Sequence, residues 1–389
     1  MAAPSVASAF ATWIAAVPTL PAGLVATDAA LGLVLAADVL AAHDLPPFAR
    51  AMMDGYAVRL ADAGATRPVA GAVHAGDAPG VLPAGAVLAI MTGAPVPVGA
   101  EAVVPRELCS AADGIVTLPA ALRAQANIVA RGAEAAAGSV VLRSGERIGP
   151  LAIAAAAALG VERLPVVRRP RVAIITTGSE LRQGGELAPG AIRDSNGPML
   201  IALCAGLGLT ATRSTCADDP LALQAAITAA EADLIICTGG VSAGDKDHVP
   251  AVLAAAGFTT LVRGVDQKPG KPLLLAQRSD RLVAALPGNP LAVHWCFTRF
   301  VAPALRRMMA LDPGPAREPG VLDAVLPGSK DRPWFIPART RRVDGRLLVT
   351  PLPPVSSGDV IAPAHADAYL AVAAGAQPRQ PGETVEIMR

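Results

Sequence analysis

Three continuous apolar runs, each followed by a polar glycine-rich loop and then a helix-like segment, constrain this chain most. Val172-Ala-Ile-Ile175, Leu234-Ile-Ile-Cys237 and Leu282–Leu286 contain no polar alternation. Such runs suit strands buried on both faces, as in a parallel sheet covered by helices. Between them the pattern predicts helices over Met199–Ala205 and Pro220–Ala230, with a long helix over Pro290–Met309 at the end. The βαβα alternation over about 140 residues therefore predicts a parallel α/β domain.

The flanking sequence has a different texture. Residues 1–40 read as helical, and the Leu151–Leu159 segment reads as a helix ending at Gly160. Between Asp44 and about Glu134, short apolar runs alternate with Gly and Pro turns, which predicts a small β-rich module. Asp312-Pro-Gly-Pro315 marks a linker, and residues 316–389 alternate strands and turns as a small β domain would. With 389 residues, several domains are expected.

Composition narrows the function. Lys and Arg number 33 against 32 Asp and Glu, so no global field favours nucleic acid or an anionic membrane. The longest apolar stretch, Ile148 to Val161, is too short for a membrane span. Met1–Thr27 carries no charged side chain, but Pro4, Pro18 and Pro21 interrupt it. It reads as an Ala-rich amphipathic helix, not a secretory signal. The five cysteines are scattered without a CxxC pair, as expected of buried thiols in a reducing cytoplasm, and the five histidines lack metal-ligand spacing.

In an open parallel sheet, ligands bind beyond the carboxyl ends of the strands. Three loops leave those ends: Thr176-Thr-Gly-Ser-Glu180, the Thr238–Asp247 segment with Gly239, Gly240 and Ser242, and Leu286-Pro-Gly-Asn-Pro290. Each also has a plain structural reading. Asn289 and Asp219 are well placed as helix caps before Pro290 and Pro220. Together, however, the loops gather Glu180, Asp219, Asp245 and Asp247, with Lys268 and Lys271 of Lys-Pro-Gly-Lys expected nearby. Two carboxylates about 4 Å apart repel by roughly 4 kcal/mol at an effective dielectric near 20. Such a cluster calls for lysine or an oxygen-ligated divalent cation, Mg²⁺ above all, and suits a phosphate or pyrophosphate ester. The N-terminal half adds two rigid loops: Asp44–Ala57, with Asp54 at the turn, and Ile90–Pro97, which presents Thr92.

The ordered set of motifs resembles the MoeA-type molybdopterin molybdenumtransferases, the family that includes the gephyrin E domain. The set comprises Asp28-Ala-Ala-Leu-Gly32, Met53-Asp-Gly-Tyr-Ala57, Met91-Thr-Gly-Ala-Pro95, Thr177-Gly-Ser-Glu-Leu181, Asp194-Ser-Asn196, Thr238-Gly-Gly-Val-Ser242, Lys268-Pro-Gly-Lys-Pro272 and Leu286-Pro-Gly-Asn-Pro290.

The resemblance implies a multidomain α/β subunit with four parts. Domain I is a helical dimerisation domain of residues 1–40 and 137–168, and domain II is a β-rich insertion of 41–136. Domain III, 169–312, is the α/β molybdopterin-binding fold, and domain IV, 313–389, is a C-terminal β-barrel. A homodimer is implied, with the cleft between domains III and IV of one subunit and domain II of the other. The implied reaction inserts molybdate into adenylyl-molybdopterin with Mg²⁺ and releases AMP. A transient contact with molybdopterin adenylyltransferase is also implied.

By matching motif, Asp54, Glu180, Asp219, Asp247, Lys268 and Lys271 form the catalytic set, with Asp219, Asp245 and Asp247 on the metal. Thr92, Arg131, Gly239, Gly240, Ser242, Pro287, Gly288 and Pro290 form the substrate-binding set. The chain departs from the family pattern at Val129, which replaces an arginine, at Glu134, which replaces an aspartate, and at Ala51, which replaces a serine. The departures bear on substrate affinity and on the choice between molybdate and tungstate. The alternatives are a molybdopterin adenylyltransferase, which shares the α/β fold, and a non-enzymatic molybdopterin-binding scaffold or storage paralogue, which the departures at Val129 and Ala51 motivate.

Overall fold

A computed structural model describes residues 3–182, 184–241, 248–279 and 281–389. The chain forms two compact units. One comprises the segment up to Ala22 together with Val167–Arg389, and the other Gly23–Val166.

The first unit is built on a six-stranded sheet. Its elements are β1 (Val172–Thr177), α1 (Asn196–Gly206), β2 (Ala211–Cys216), α2 (Pro220–Ala229), β3 (Leu234–Thr238), α3 (Val249–Ala255), β4 (Thr259–Arg263), β5 (Leu274–Arg278), β6 (Arg281–Leu286) and α4 (Pro290–Cys296). The strand order is β2-β1-β3-β6-β5-β4. β1 and β3 are buried along their whole length, as continuous apolar runs require. Ile175, Ile235, Val283 and Leu274 form the core under α2 and α3, with Leu223, Ile227 and Leu253 of those helices packed on them.

The expected purely parallel sheet is corrected to a mixed one. β2, β1, β3 and β6 run parallel, but β5 pairs antiparallel with both β6 and β4. The reason is local: only the turn after Arg278 separates β5 from β6, and a connection that short permits nothing but a hairpin. The long helix expected over 290–309 is also modified. It runs as α4, then a π-helical stretch over Phe297–Val301, then α-helix over Ala302–Met308.

The helical reading of residues 1–40 holds only for Val6–Ala16. Ser5 caps that helix by accepting from the Ser8 amide, and Pro18 and Pro21 lie just beyond its end. Trp13 is fully buried and its indole N–H donates to the Phe300 carbonyl at 2.9 Å, so the helix packs on the α/β unit.

The remainder of this unit is a closed five-stranded barrel. Its strands follow the order Arg317–Leu322, Arg346–Pro351, Trp334–Val343, Ala368–Val372 and Thr384–Met388. Ile336, Val349, Leu370 and Ile387 fill it.

In the second unit, a six-stranded sheet orders Ala102–Pro105, Gly55–Val58, Val87–Ile90, Thr66–Val73, Ile115–Thr117 and Ser110–Ala112. Two-stranded pairs flank it: Ala22–Ala26 with Arg163–Val167, and Val39–Leu40 with Val140–Leu142. The expected helical character of residues 17–40 and 137–168 is largely replaced by these strand pairs. The α-helix described there is Pro150–Ala158, which places Ala156 against Leu33, Leu35 and Ile148.

Candidate functional site

The carboxyl ends of β1, β3 and β6 open into a cleft of about 500 Å³. Thr177 and Thr238 are buried at two of those ends, and the Thr177 hydroxyl donates to the Thr238 carbonyl at 3.0 Å, which fixes their spacing. Gly239 follows at φ +90°, and a Cβ there would stand 2.9 Å from the Thr177 carbonyl oxygen. Glycine is therefore required where this turn crosses the floor. Gly288 lies against it, close enough that a Cβ on Gly288 would be 3.9 Å from the Gly239 Cα.

One wall is the start of α1. Asp194 is almost fully buried and accepts the Gly197 amide at 2.9 Å and the Arg213 guanidinium at 2.6 Å. Asn196 donates from Nδ2 to the Gly288 carbonyl at 2.7 Å, while its buried Oδ1 has no partner among the described residues. The opposite wall comes from the barrel: Gly358 and Val360 line the cleft, and Asn289 Nδ2 donates to Ser357 Oγ at 2.7 Å. Asn289 thus occupies a cap position without using its side chain as a cap.

Of the residues read from sequence, Glu180, Gly239, Gly240, Gly288 and Pro290 line this one cleft. The Gly239 amide is already engaged with the Leu286 carbonyl at 3.1 Å, so it is not free to hold an oxyanion. Asp219 is engaged as well, because its Oδ2 accepts the Ala222 amide at 2.7 Å and caps α2. Its neighbour Asp218 faces the cleft and accepts the Ser179 amide at 3.0 Å. The Asp-Asp-Pro sequence carried that signal: proline at the first helical position makes the residue before it the cap and leaves the earlier aspartate available.

Ser242, Asp245 and Asp247 lie outside the described residues. Among the described residues, no group of three His, Cys, Asp or Glu side chains forms a metal-binding cluster.

Neither Lys268 nor Lys271 is among the described residues lining the cleft. The Lys268 ammonium sits 4.0 Å above the Trp334 ring, and its backbone pairs with Pro333 and Phe335 of the barrel. Lys271 is exposed and Pro287 precedes the Gly288 floor.

Asp54 and Thr92, 38 residues apart, meet in the second unit. The Thr92 amide and hydroxyl each donate to Asp54 Oδ1 at 2.7 Å. The amide bond above all, then the hydroxyl, and the positive charge of Arg106 hold the Asp54 carboxyl below its ordinary value. Arg131 donates to Asp44 at 2.7 Å, and the Ala137 amide followed by Arg131 lowers the Asp44 pKa.

Three family models match the chain in order. They are the MoeA N-terminal region (domain I and II) at residues 4–160, a probable molybdopterin binding domain at 173–307, and the MoeA C-terminal region (domain IV) at 319–389. A Staphylococcus aureus molybdopterin molybdenumtransferase is 35% identical over 387 residues, covering 95% of this chain and 91% of that protein. The chain belongs to the MoeA family. A Staphylococcus epidermidis molybdopterin molybdenumtransferase is 33% identical over 377 residues, covering 93% of this chain and 89% of its own. The MoeA fold is also that of a solved Pyrococcus molybdopterin biosynthesis MoeA protein, with a TM-score of 0.84, 28% identity and coverage of 100% of this chain and 99% of that one. The cleft described above falls in the MoeA segment matched as a probable molybdopterin binding domain, with its far wall in the domain IV segment.

Proposed function

We propose that this chain is a molybdopterin molybdenumtransferase, which inserts molybdate into adenylyl-molybdopterin and releases AMP. One observation carries the reading: the open polar cleft has Glu180 and Asp218 at its rim and a floor in which Gly239 and Gly288 leave no side chain between backbone and ligand. The substrates are anions, so carboxylates at the rim make sense only with a cation between them and the substrate.

The donor set fits Mg²⁺, which binds through one or two carboxylates plus substrate phosphates. Glu180 and Asp218 would hold it, joined by Asp245 and Asp247. When bound, the ion supplies charge neutralisation at the phosphoanhydride. The protein's own groups do the rest. Gly240 and Gly288 admit oxyanions close to the main chain, and Pro287 and Pro290 stiffen the rim. Asn196 holds the Gly288 carbonyl in place, while Lys268 and Lys271 supply positive charge from the neighbouring loop. We assign Asp54 and Thr92 to the same reaction, on their shared motif and their paired hydrogen bonds. Arg131 is assigned to substrate binding, Asp219 to positioning as the cap of α2, and Ser242 to the oxyanion.

The reading includes a homodimer, a transient contact with molybdopterin adenylyltransferase, the four-part division read from sequence, and residence in the cytoplasm, in keeping with five free thiols. No helix among the described residues is long and apolar enough to cross a membrane.

The test is AMP release from adenylyl-molybdopterin by the purified chain. Release that requires both molybdate and Mg²⁺ is the expected result. Substrate binding without turnover under those conditions refutes the reading in favour of a scaffold, and ATP-dependent synthesis of the adenylylated substrate refutes it in favour of the adenylyltransferase.

A further inference from the structure

A second cavity, of about 400 Å³, lies in the same compact unit and shares no lining residue with the polar cleft. Val6 and Ala7, in the first turn of the N-terminal helix, form one side of it, and the barrel contributes Leu326, Val385 and Met388. Three arginines, Arg299, Arg317 and Arg379, line it with a single acidic residue, Glu386. Two of these cations are neutralised: Arg317 donates to Glu386 at 2.6 Å, and Arg379 to Glu383 at 2.9 Å. Arg299 is not. None of its five N–H groups makes a hydrogen bond or ion pair among the described residues, and Nη1 is buried. It packs instead on Phe10, with the guanidinium carbon 3.9 Å from the ring centroid. Burial above all, then the charge of Arg317, lowers its pKa to about 10, so the group remains a cation at neutral pH. A partly buried charge without a counter-ion is costly, and proteins ordinarily pair it. Arg299 also sits in the middle of the π-helical stretch Phe297–Val301, a kind of irregularity that recurs at functional sites. The first turn of the N-terminal helix carries no acidic side chain, and the positive end of its dipole adds to the field.

We propose that this cavity binds a small organic monoanion, with a carboxylate beside Arg299 and an apolar body against Leu326, Val385 and Met388. The charge count selects a monoanion. Three guanidiniums meet two carboxylates, Glu386 and Glu383, so one further negative charge restores the balance and a dianion exceeds it. A guanidinium with unused N–H groups matches the two oxygens of a carboxylate. The volume falls within the roughly 300–1,000 Å³ of small-molecule sites, and the apolar residues between the arginines give an uncharged body a surface to bury against. The site does not depend on the reaction assigned to the cleft.

The experiment is calorimetric titration of the full-length protein at low ionic strength with three probes. They are 4-phenylbutyrate, its uncharged amide 4-phenylbutyramide, and inorganic phosphate. The wild type should bind 4-phenylbutyrate with a Kd of about 1 mM or tighter, and at least about tenfold more tightly than either other probe. Arg299→Leu should weaken 4-phenylbutyrate at least about tenfold, whereas Arg299→Lys, which keeps the charge, should retain it within about threefold. Ala371→Trp fills the cavity from an exposed strand position with the cation in place, and should also weaken it at least about tenfold. Unchanged circular dichroism in each variant shows that the fold is intact. Equal wild-type affinities for the anion and its amide overturn the proposal, and so does tighter binding of phosphate. Undiminished affinity in Arg299→Leu or in Ala371→Trp puts the anion elsewhere and overturns it too, as does the lack of any binding by the wild type at about 10 mM 4-phenylbutyrate.

Discussion

The buried Asp194–Arg213 pair holds the first turn of α1, and through Asn196 the wall of the cleft. Its removal should therefore damage one region by a calculable amount. Asp194→Ala leaves the Arg213 guanidinium without its carboxylate and the Gly197 amide without its acceptor. Breaking a buried pair at one partner costs about 3–5 kcal/mol. The Asp194 side chain is 1% exposed but Arg213 is 23% exposed, and water relieves part of the stranded charge, so the lower figure applies. About 3 kcal/mol is a factor of roughly 10² in the opening equilibrium.

Global melting of a multidomain chain does not isolate that number, so native-state hydrogen exchange of the Asn196–Gly206 amides is the better assay. Exchange there should accelerate about a hundredfold in Asp194→Ala, with the barrel amides unchanged. Asp194→Asn keeps an acceptor for Gly197 and should cost about 1–2 kcal/mol. Arg213→Met added to Asp194→Ala removes the stranded cation and should restore at least half of the loss. A double variant no better than the single one, or wild-type exchange in Asp194→Ala, would refute the assignment of this pair as the clamp on the wall.

Three further outcomes are expected. Gly239→Ala forces a Cβ to within 2.8 Å of Thr177 Oγ1 at φ +90°, with a penalty of about 1–2 kcal/mol from the backbone conformation alone. Calorimetry should then show AMP affinity reduced about tenfold or more, and unaltered affinity sinks this account of the floor. Asp54→Asn should slow molybdate-dependent AMP release by at least about tenfold. Because Thr92 lowers the Asp54 pKa beneath 3.8, the carboxylate stays ionised as pH falls toward that value, so the pH–rate profile should carry no acidic limb from Asp54 above it. Thr92→Val should move such a limb upward.

Asp233, buried where β3 begins, is subject to desolvation that raises its pKa. The paired Arg168 bonds at 2.7 and 2.8 Å and the Arg171 amide more than offset this, so the net shift is downward. A lowered folded value means that its stabilisation is present above the unfolded pKa and is lost as pH falls through the folded one. Asp233→Asn should cost about 1–3 kcal/mol at neutral pH in urea unfolding and flatten the acid loss of stability. An unchanged pH slope counts against it.

The α/β core was readable in sequence because burial on both faces leaves each of β1, β3 and β6 an unbroken apolar run, with polar residues only at the strand ends, and that pattern is independent of distant context. β2 escaped detection: Ala-Thr-Arg-Ser-Thr-Cys lies at the sheet edge with alternating partial exposure, so it has no apolar run to betray it. The same applies to β4. Residues 17–40 failed differently. Alanine-rich composition favours helix, but Pro18, Pro21 and Gly23 break it, and the strands that replace it gain their partners from residues 100 or more positions away. In the site, loop membership was legible and side-chain commitment only in part. Asp219 before Pro220 reads as a cap and is one, whereas Asn289 before Pro290 reads the same way and instead binds Ser357. Only the structure shows that Asp218, beside Asp219, faces the cleft.

The departures from the family pattern look scattered in sequence, yet they meet in space. Arg50–Ala51 pairs antiparallel with Ile128–Val129, aligning Ala51 with Ile128 and Arg50 with Val129, and the Arg50 guanidinium binds the Glu134 carboxylate. The changes at 51, 129 and 134 thus form one patch around Arg50. The bonds that tie the patch to the Thr92 loop are made by main-chain groups: the Ala51 amide donates to the Ala94 carbonyl, and the Gly93 amide donates to the Ala51 carbonyl. Alanine and serine at position 51 both make these bonds, so the loss of a serine hydroxyl there leaves the approach of Thr92 to Asp54 unaltered. Of the three positions, Glu134 is the one that places a charge beside Arg50, and its carboxylate binds that guanidinium. Restoring serine at 51 alone should therefore leave turnover within about twofold, whereas Glu134→Ala, which strands Arg50, should alter it more. The reverse ranking in the AMP-release assay would show that the hydroxyl, not the charge patch, is what this chain lacks.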